Sequence, residues 1–126
     1  MTRQRTILIV DDNFMNRRLV AAMLNGTPYR LVERDSGRDG LDYALSHREE
    51  LDLVLLDIGM PDISGTEVCR SIRDHEARDR RLPVIAYTAH AMGEERRSFL
   101  NAGFDDILIK PITRTEFLAV LEKHLN

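Results

Sequence analysis

Asp11 and Asp12 close a β-branched apolar run, Thr6–Val10, and Asp57 closes a second, nearly all-apolar run over 51–56. Thr88 follows a third run, 83–87, and Lys110 a fourth, 107–109. Gathered in one place, these side chains amount to three carboxylates, one hydroxyl and one ammonium. Three carboxylates a few ångströms apart repel, and one must take up a proton unless cations intervene. Lys110 offsets one charge. A divalent ion offsets two more, and an all-oxygen donor set favours Mg²⁺ or Mn²⁺ over zinc. Mg²⁺ keeps several waters, so two carboxylates and one backbone carbonyl suffice to hold it. Taken alone, Asp11 and Asp12 have a simpler explanation, as an acidic pair favouring the positive end of a helix dipole. The recurrence of polar residues at the ends of apolar runs weighs against it.

The elements that must position these residues repeat as apolar run, turn and helical spacing. Asn13 caps a first helix whose inward positions are expected at Met15, Leu19, Ala22 and Met23, with a stop at Gly26. A second strand over 29–33 precedes Ser36, Gly37 and a helix over 40–46. The loop GMPDISG, 59–65, leads into a helix over 66–75, and another helix over 92–101 stops at Gly103. Thr113 and Glu116 form a capping box before Phe117, Leu118, Leu121 and Leu125. Alternating strands and helices predict an α/β fold, a three-layer doubly wound sandwich with a five-stranded parallel sheet. The first, third and fifth runs are continuously apolar, as strands buried on both faces require. In such a sheet ligands bind at the carboxyl edge of the strands, so Asp11, Asp12, Asp57, Thr88 and Lys110 converge on one cleft.

The 126 residues match the size of one domain, expected to span 1–126. A net charge of −3 argues against a direct nucleic-acid surface. Cys69 is the one cysteine, so neither an internal disulfide nor a cysteine zinc cluster is available. The apolar runs are far below the ~18 residues of a membrane span, and the N-terminus lacks a signal-peptide core. A cytoplasmic protein is expected.

Over nearly its whole length the chain resembles the receiver domains of two-component response regulators, the CheY-like family. The residues that carry this are Asp11-Asp12, the segment Asp57-Ile58-Gly59-Met60-Pro61-Asp62-Ile63-Ser64-Gly65 matching D-x-x-M-P-x-x-x-G, Thr88-Ala89 and Lys110-Pro111. The resemblance implies a flavodoxin-like strand order 2-1-3-4-5 and a cis Lys110–Pro111 bond. It implies that Asp57 accepts a phosphoryl group from phosphohistidine on a histidine kinase or histidine phosphotransfer protein. Asp11, Asp12, Asp57 and the Gly59 carbonyl would hold Mg²⁺, with Asp12 the direct ligand of the first pair and Asp11 acting through water. Thr88 and Lys110 would contact phosphoryl oxygens, and Ala89 would leave them room. The protein would be a switch rather than an enzyme, a monomer or a phosphorylation-dependent dimer acting on a downstream protein. With no output segment after the last helix, it would be a stand-alone regulator, a relay intermediate or a receiver cut from a hybrid kinase.

Further expectations follow from the resemblance. Gly59 and His90 occupy positions that tune phosphoryl lifetime. Asn13, Phe14, Asn16, Arg17, Met60, Pro61, Pro111 and Ile112 form a candidate docking ring. The family usually carries an aromatic residue where this chain has Ile107, which shifts the expected readout to Thr88 and the loop 89–93. Tyr87 is not expected to replace that ring, because strand neighbours point to opposite faces. Gly65 and Gly103 read as backbone positions with unusual dihedrals, and Cys69 as packing. His47, His75 and His124 read as surface or helix-end residues, Glu94–Arg97 as a solvated helix face. Asp35, Asp62, Asp105 and Asp106 have no claim on the metal. Two other functions fit less well. An aspartate-nucleophile phosphatase would need D-x-D-x-T after the first strand, where Asp11-Asp12-Asn13 stands. A flavodoxin-like cofactor carrier would need a phosphate loop there.

Overall fold

Uninterrupted apolar stretches set the two central strands. β1 (Thr6–Val10) and β3 (Leu53–Asp57) are buried at every position, as a strand covered on both faces must be. In the computed structural model, which describes residues 4–77, 80–89 and 92–125, these strands lie side by side. β2 (Arg30–Arg34) flanks β1, while β4 (Val84–Thr88) and β5 (Asp106–Ile109) follow β3, giving a parallel sheet of order β2-β1-β3-β4-β5. The expected topology holds. The helices are α1 (Phe14–Met23), α2 (Gly37–Ser46), α3 (Gly65–Asp74), α4 (Gly93–Ala102) and α5 (Arg114–Leu125).

Alternation along the strands divides the core in two. Leu8, Val10, Val54, Leu56, Ala86 and Ile107 face α2, α3 and α4. Ile7, Ile9, Leu53, Leu55, Tyr87 and Leu108 face α1 and α5, represented by Val20, Met23, Phe117, Leu121 and Leu125. No helix among the described residues is long and apolar enough to cross a membrane.

Local chemistry starts and stops the helices, at Asn13, Thr113 and Gly103 as expected. Asn13 accepts from the Asn16 N–H, Ser64 from that of Glu67, and Thr113 from that of Glu116. Gly103 ends α4 at φ +111°, a conformation that favours glycine. α2 begins at Gly37, earlier than the spacing predicts, because the Asp62 carboxylate accepts from the N–H groups of Gly37 and Arg38 at 3.0 and 2.8 Å. Asp62 is thus a cap supplied from a distant loop.

Two expectations are corrected. Met15 and Leu19 do not face the core: they are 70% and 42% exposed, Ala22 is exposed too, and the buried positions are Val20 and Met23. At the cleft end the inward positions are held by half-buried Asn16 and Arg17, whose bonds to Asp11 and Glu33 outrank hydropathy in orienting the helix. Gly65 has an ordinary φ. It is glycine because a Cβ there would lie 2.4 Å from the Asp57 carbonyl oxygen.

Candidate functional site

The carboxyl edge of the sheet gathers the predicted residues. Asp11 follows β1, its N–H bonded across to the Arg34 carbonyl; Asp57 ends β3, Thr88 ends β4 and Lys110 follows β5. With Asp12, Asn13, Asn16, Ile58, Gly59 and Ala89 they line an open cleft of about 400 Å³. Lys110 Nζ lies 3.1 Å from Asp57 Oδ1 and 3.6 Å from Asp11 Oδ2. One oxygen from each of Asp11, Asp12 and Asp57 falls within 4.8 Å of the others. Lys110–Pro111 is cis.

The three acids sit in unlike environments. Asp11 is fully buried; its Oδ1 accepts from the Asn13 N–H at 2.9 Å and its Oδ2 from Asn16 Nδ2 at 3.1 Å. Burial, reinforced by the charge of Asp57, pushes the Asp11 carboxyl above its ordinary range despite these donors and Lys110. Asp12 is exposed. Asp57 is 6% exposed, and the contacts it receives from Lys110 and from the Gly59 N–H, the latter at 3.3 Å, fall on Oδ1. One ammonium among three acids leaves the cluster net negative, and the donors are all hard oxygens, so the site fits Mg²⁺.

Other expectations sort by position. Gly59 is exposed and a Cβ there would meet nothing within 4 Å. His90 and residue 91 of the 89–93 loop lie outside the described residues. In the candidate docking ring, Asn13, Phe14, Pro61 and Pro111 are exposed, and Asn16 and Arg17 half-buried. Met60 and Ile112 are corrected out of it: each is buried, one on either side of the sheet, because its side chain turns in to fill the core beneath its loop. Phe14 is 60% exposed, with the Arg17 guanidinium 5.6 Å from its ring centre. His47, His75 and His124 all stand at helix ends, His124 Nε2 lying 3.0 Å from Asp106 Oδ2. Asp105 joins Arg73 and Arg81, each at 2.7 Å, away from the cleft. Cys69 is fully buried, which pushes its thiol up to about 11.

Sequence reasoning missed Tyr87. As the alternation predicts, it faces away from Ile107. Yet it pairs in register with Asp57, and Lys110 Nζ stands 4.5 Å from its ring centre. Burial, then the charges of Asp11 and Asp57, pushes its hydroxyl up to about 12, so the ring is a neutral phenol. The available signal was parity: two strand-end residues opposite one another in a parallel pair share a face.

Comparison with known proteins yields the following similarities. A sequence model described as "Response regulator receiver domain" matches residues 7–122. The chain is 37% identical over 124 residues to the sensor protein GacS of Pseudomonas syringae pv. syringae, covering 97% of this chain but 14% of GacS. It is 33% identical over 122 residues to the polar-differentiation response regulator DivK of Brucella ovis, covering 97% of each. Among solved structures it resembles the receiver domain of sensor histidine kinase PA1611 from Pseudomonas aeruginosa PAO1, which has magnesium coordinated in its active-site cleft. That match has a TM-score of 0.84 at 34% identity and covers 98% of both chains.

Proposed function

The chain belongs to the response regulator receiver family, a class of phosphorelay signalling switches, and from that premise we propose that residues 1–126 are one receiver whose Asp57 is the phosphoacceptor. Membership selects this function over the aspartate-nucleophile phosphatase and the flavodoxin-like carrier. The observation that carries the acceptor role is the position of Asp57 at the end of the central strand, 3.1 Å from Lys110 and grouped with Asp11 and Asp12.

Asp57 attacks through Oδ2, the oxygen opposite the one that meets Lys110 and the Gly59 N–H. The new bond is Oδ2–P. The bond that breaks is P–N of a phosphohistidine, whose electron pair returns to the imidazole, leaving an aspartyl phosphate. Lys110 transfers its contact from Asp57 to a phosphoryl oxygen, the Thr88 hydroxyl donates to another, and Ala89 leaves room for both. Asp12, Asp57 and the Gly59 carbonyl, with Asp11 acting through water, would hold Mg²⁺ or Mn²⁺, which when bound neutralises charge between the anionic nucleophile and the phosphoryl group. Burial and donors on both oxygens of Asp11 support its indirect role.

The described histidines lie at helix ends outside the cleft, and the donor would be another protein, a histidine kinase or a phosphotransfer protein. It would dock on Asn13, Phe14, Asn16, Arg17, Pro61 and Pro111 in the cytoplasm. Without a side chain at Gly59 to hold an attacking water, dephosphorylation is slow to moderate. Switching of a downstream partner runs through Thr88 and the 89–93 loop, in a monomer or a phosphorylation-dependent dimer. Incubation with phosphoramidate and Mg²⁺ tests the acceptor: the wild type takes up one phosphoryl group and Asp57→Asn takes up none. Undiminished labelling of Asp57→Asn overturns the assignment.

A further inference from the structure

Lys110 must leave Asp57 for the incoming phosphoryl group without losing its place. Its ammonium meets two carboxylates, at 3.1 Å on Asp57 and 3.6 Å on Asp11, both of which are involved when the site is loaded. A lysine stem has four rotatable carbons, so those two contacts alone do not fix where the charge waits. The third contact is the face of Tyr87, 4.5 Å from Nζ to the ring centre. This ring is 1% exposed and belongs to the buried cluster with Leu108, Ile112 and Phe117, so it cannot swing away.

Sheet register makes the ring a fixed reference. Tyr87 is opposite Asp57 on one side and Leu108 on the other. Lys110 lies two residues beyond Leu108 and therefore on the same face. Nucleophile and ring thus occupy neighbouring strands of one parallel sheet, and the ammonium is carried just past the end of the next, where the Lys110 N–H bonds to the Thr88 carbonyl. A cation is attracted to the whole ring face rather than to one atom, so the ammonium can slide from carboxylate to phosphoryl oxygen over Tyr87 without breaking a directional bond.

We infer that Tyr87 is a positioning residue for phosphoryl transfer, a platform that holds the Lys110 ammonium beside Asp57 while its anionic partners change. This rests on the acceptor role proposed above. The ring lies against the Lys110 ammonium, so its effect passes through that lysine.

The test measures initial rates of Mg²⁺-dependent labelling by phosphoramidate in Tyr87→Phe, Tyr87→Leu, Lys110→Ala and the double variant Tyr87→Leu/Lys110→Ala. Urea unfolding and the Lys110 Hε proton shifts are recorded alongside. Tyr87→Phe keeps an aromatic face and should label within about twofold of wild type, with the Hε protons still shifted upfield by the ring. Tyr87→Leu should lose that shift and label about five- to tenfold more slowly, inside the range a cation–π contact supports. In the Lys110→Ala background Tyr87→Leu should cost nothing more, because the two residues act as a unit. A folded Tyr87→Leu that labels at the wild-type rate overturns the role. So does an equal loss with and without Lys110, which would reduce Tyr87 to packing. Failure of the wild type itself to be labelled overturns the acceptor assignment instead, and this role only with it.

Discussion

Replacing Gly65 by alanine would push a methyl group into the backbone that carries Asp57. The added Cβ would stand 2.4 Å from the Asp57 carbonyl oxygen and 2.9 Å from the Ile58 Cα, where ordinary contact begins at 3.4 Å. About 1 Å of separation is needed, and neither obstacle is a side chain that can rotate aside. Overpacking of this kind costs ~1–3 kcal/mol. Alanine recovers up to ~1 kcal/mol through helix propensity and a less flexible unfolded chain. The net expectation is a loss of ~1–2 kcal/mol, seen as a lower urea midpoint with an unchanged slope. Function should suffer more than stability. The strand end that moves is the one holding the nucleophile, and a 1 Å misplacement can cost ~100-fold in rate. Gly59→Ala is the matched control, two residues after Asp57, where an added Cβ meets nothing within 4 Å. It should fold and label like the wild type. If Gly65→Ala matched Gly59→Ala in both unfolding free energy and phosphoramidate labelling, close approach would not explain the glycine.

Three other outcomes test separate parts of the structure. Phe14→Ala should slow transfer from a phosphohistidine protein about fivefold or more while leaving phosphoramidate labelling unchanged, the signature of an exposed aromatic anchor; equal rates from the protein donor would confine Phe14 to its contact with Arg17. Asp106 feels burial first, which pushes its carboxyl up, but His124, the Ile107 N–H and Lys123 together hold it below its ordinary 3.8. A depressed carboxyl contributes stability above its unfolded value and loses it as pH falls through the folded one. Asp106→Asn should therefore cost ~1 kcal/mol at pH 7 and flatten stability against pH below about pH 4, as read by denaturant unfolding; an unchanged acid limb would refute this. Cys69, buried and pushed up to about 11, should resist a disulfide reagent at pH 8 in the native protein and react fully once unfolded. Stoichiometric reaction of the native thiol within minutes would contradict that burial.

The sequence by itself determined the layers and the five polar residues of the cleft. Runs such as Leu53–Leu56 are apolar without interruption, and only a strand covered on both faces tolerates that. Because strands alternate with helices, their carboxyl ends share one edge, so Asp11, Asp57, Thr88 and Lys110 could be brought together before any distance was known. Strand order did not follow from the pattern; the D-x-x-M-P-x-x-x-G segment and its companions supplied it through family resemblance. Tertiary structure decided what depends on neighbours remote along the chain. α1 carries two overlapping stripes at helical spacing, Met15, Leu19, Ala22 and Met23 against Asn16, Val20 and Met23, with Met23 common to both. Hydropathy favoured the first, whereas bonds from Asn16 and Arg17 to Asp11 turned the second inward. The glycine at 65 reads locally as a position of unusual dihedrals, and only the passage of the Asp57 backbone 2.4 Å from its missing Cβ gives the reason. Tyr87 joined the site through register alone. Hydrogen bonding between β3 and β4 set it opposite Asp57, and the turn of the chain after β5 laid Lys110 across its face. Periodicity records which face a side chain takes, whereas contact between faces depends on pairings made across 29 and 22 residues of intervening chain, between Asp57 and Tyr87 and between Tyr87 and Lys110.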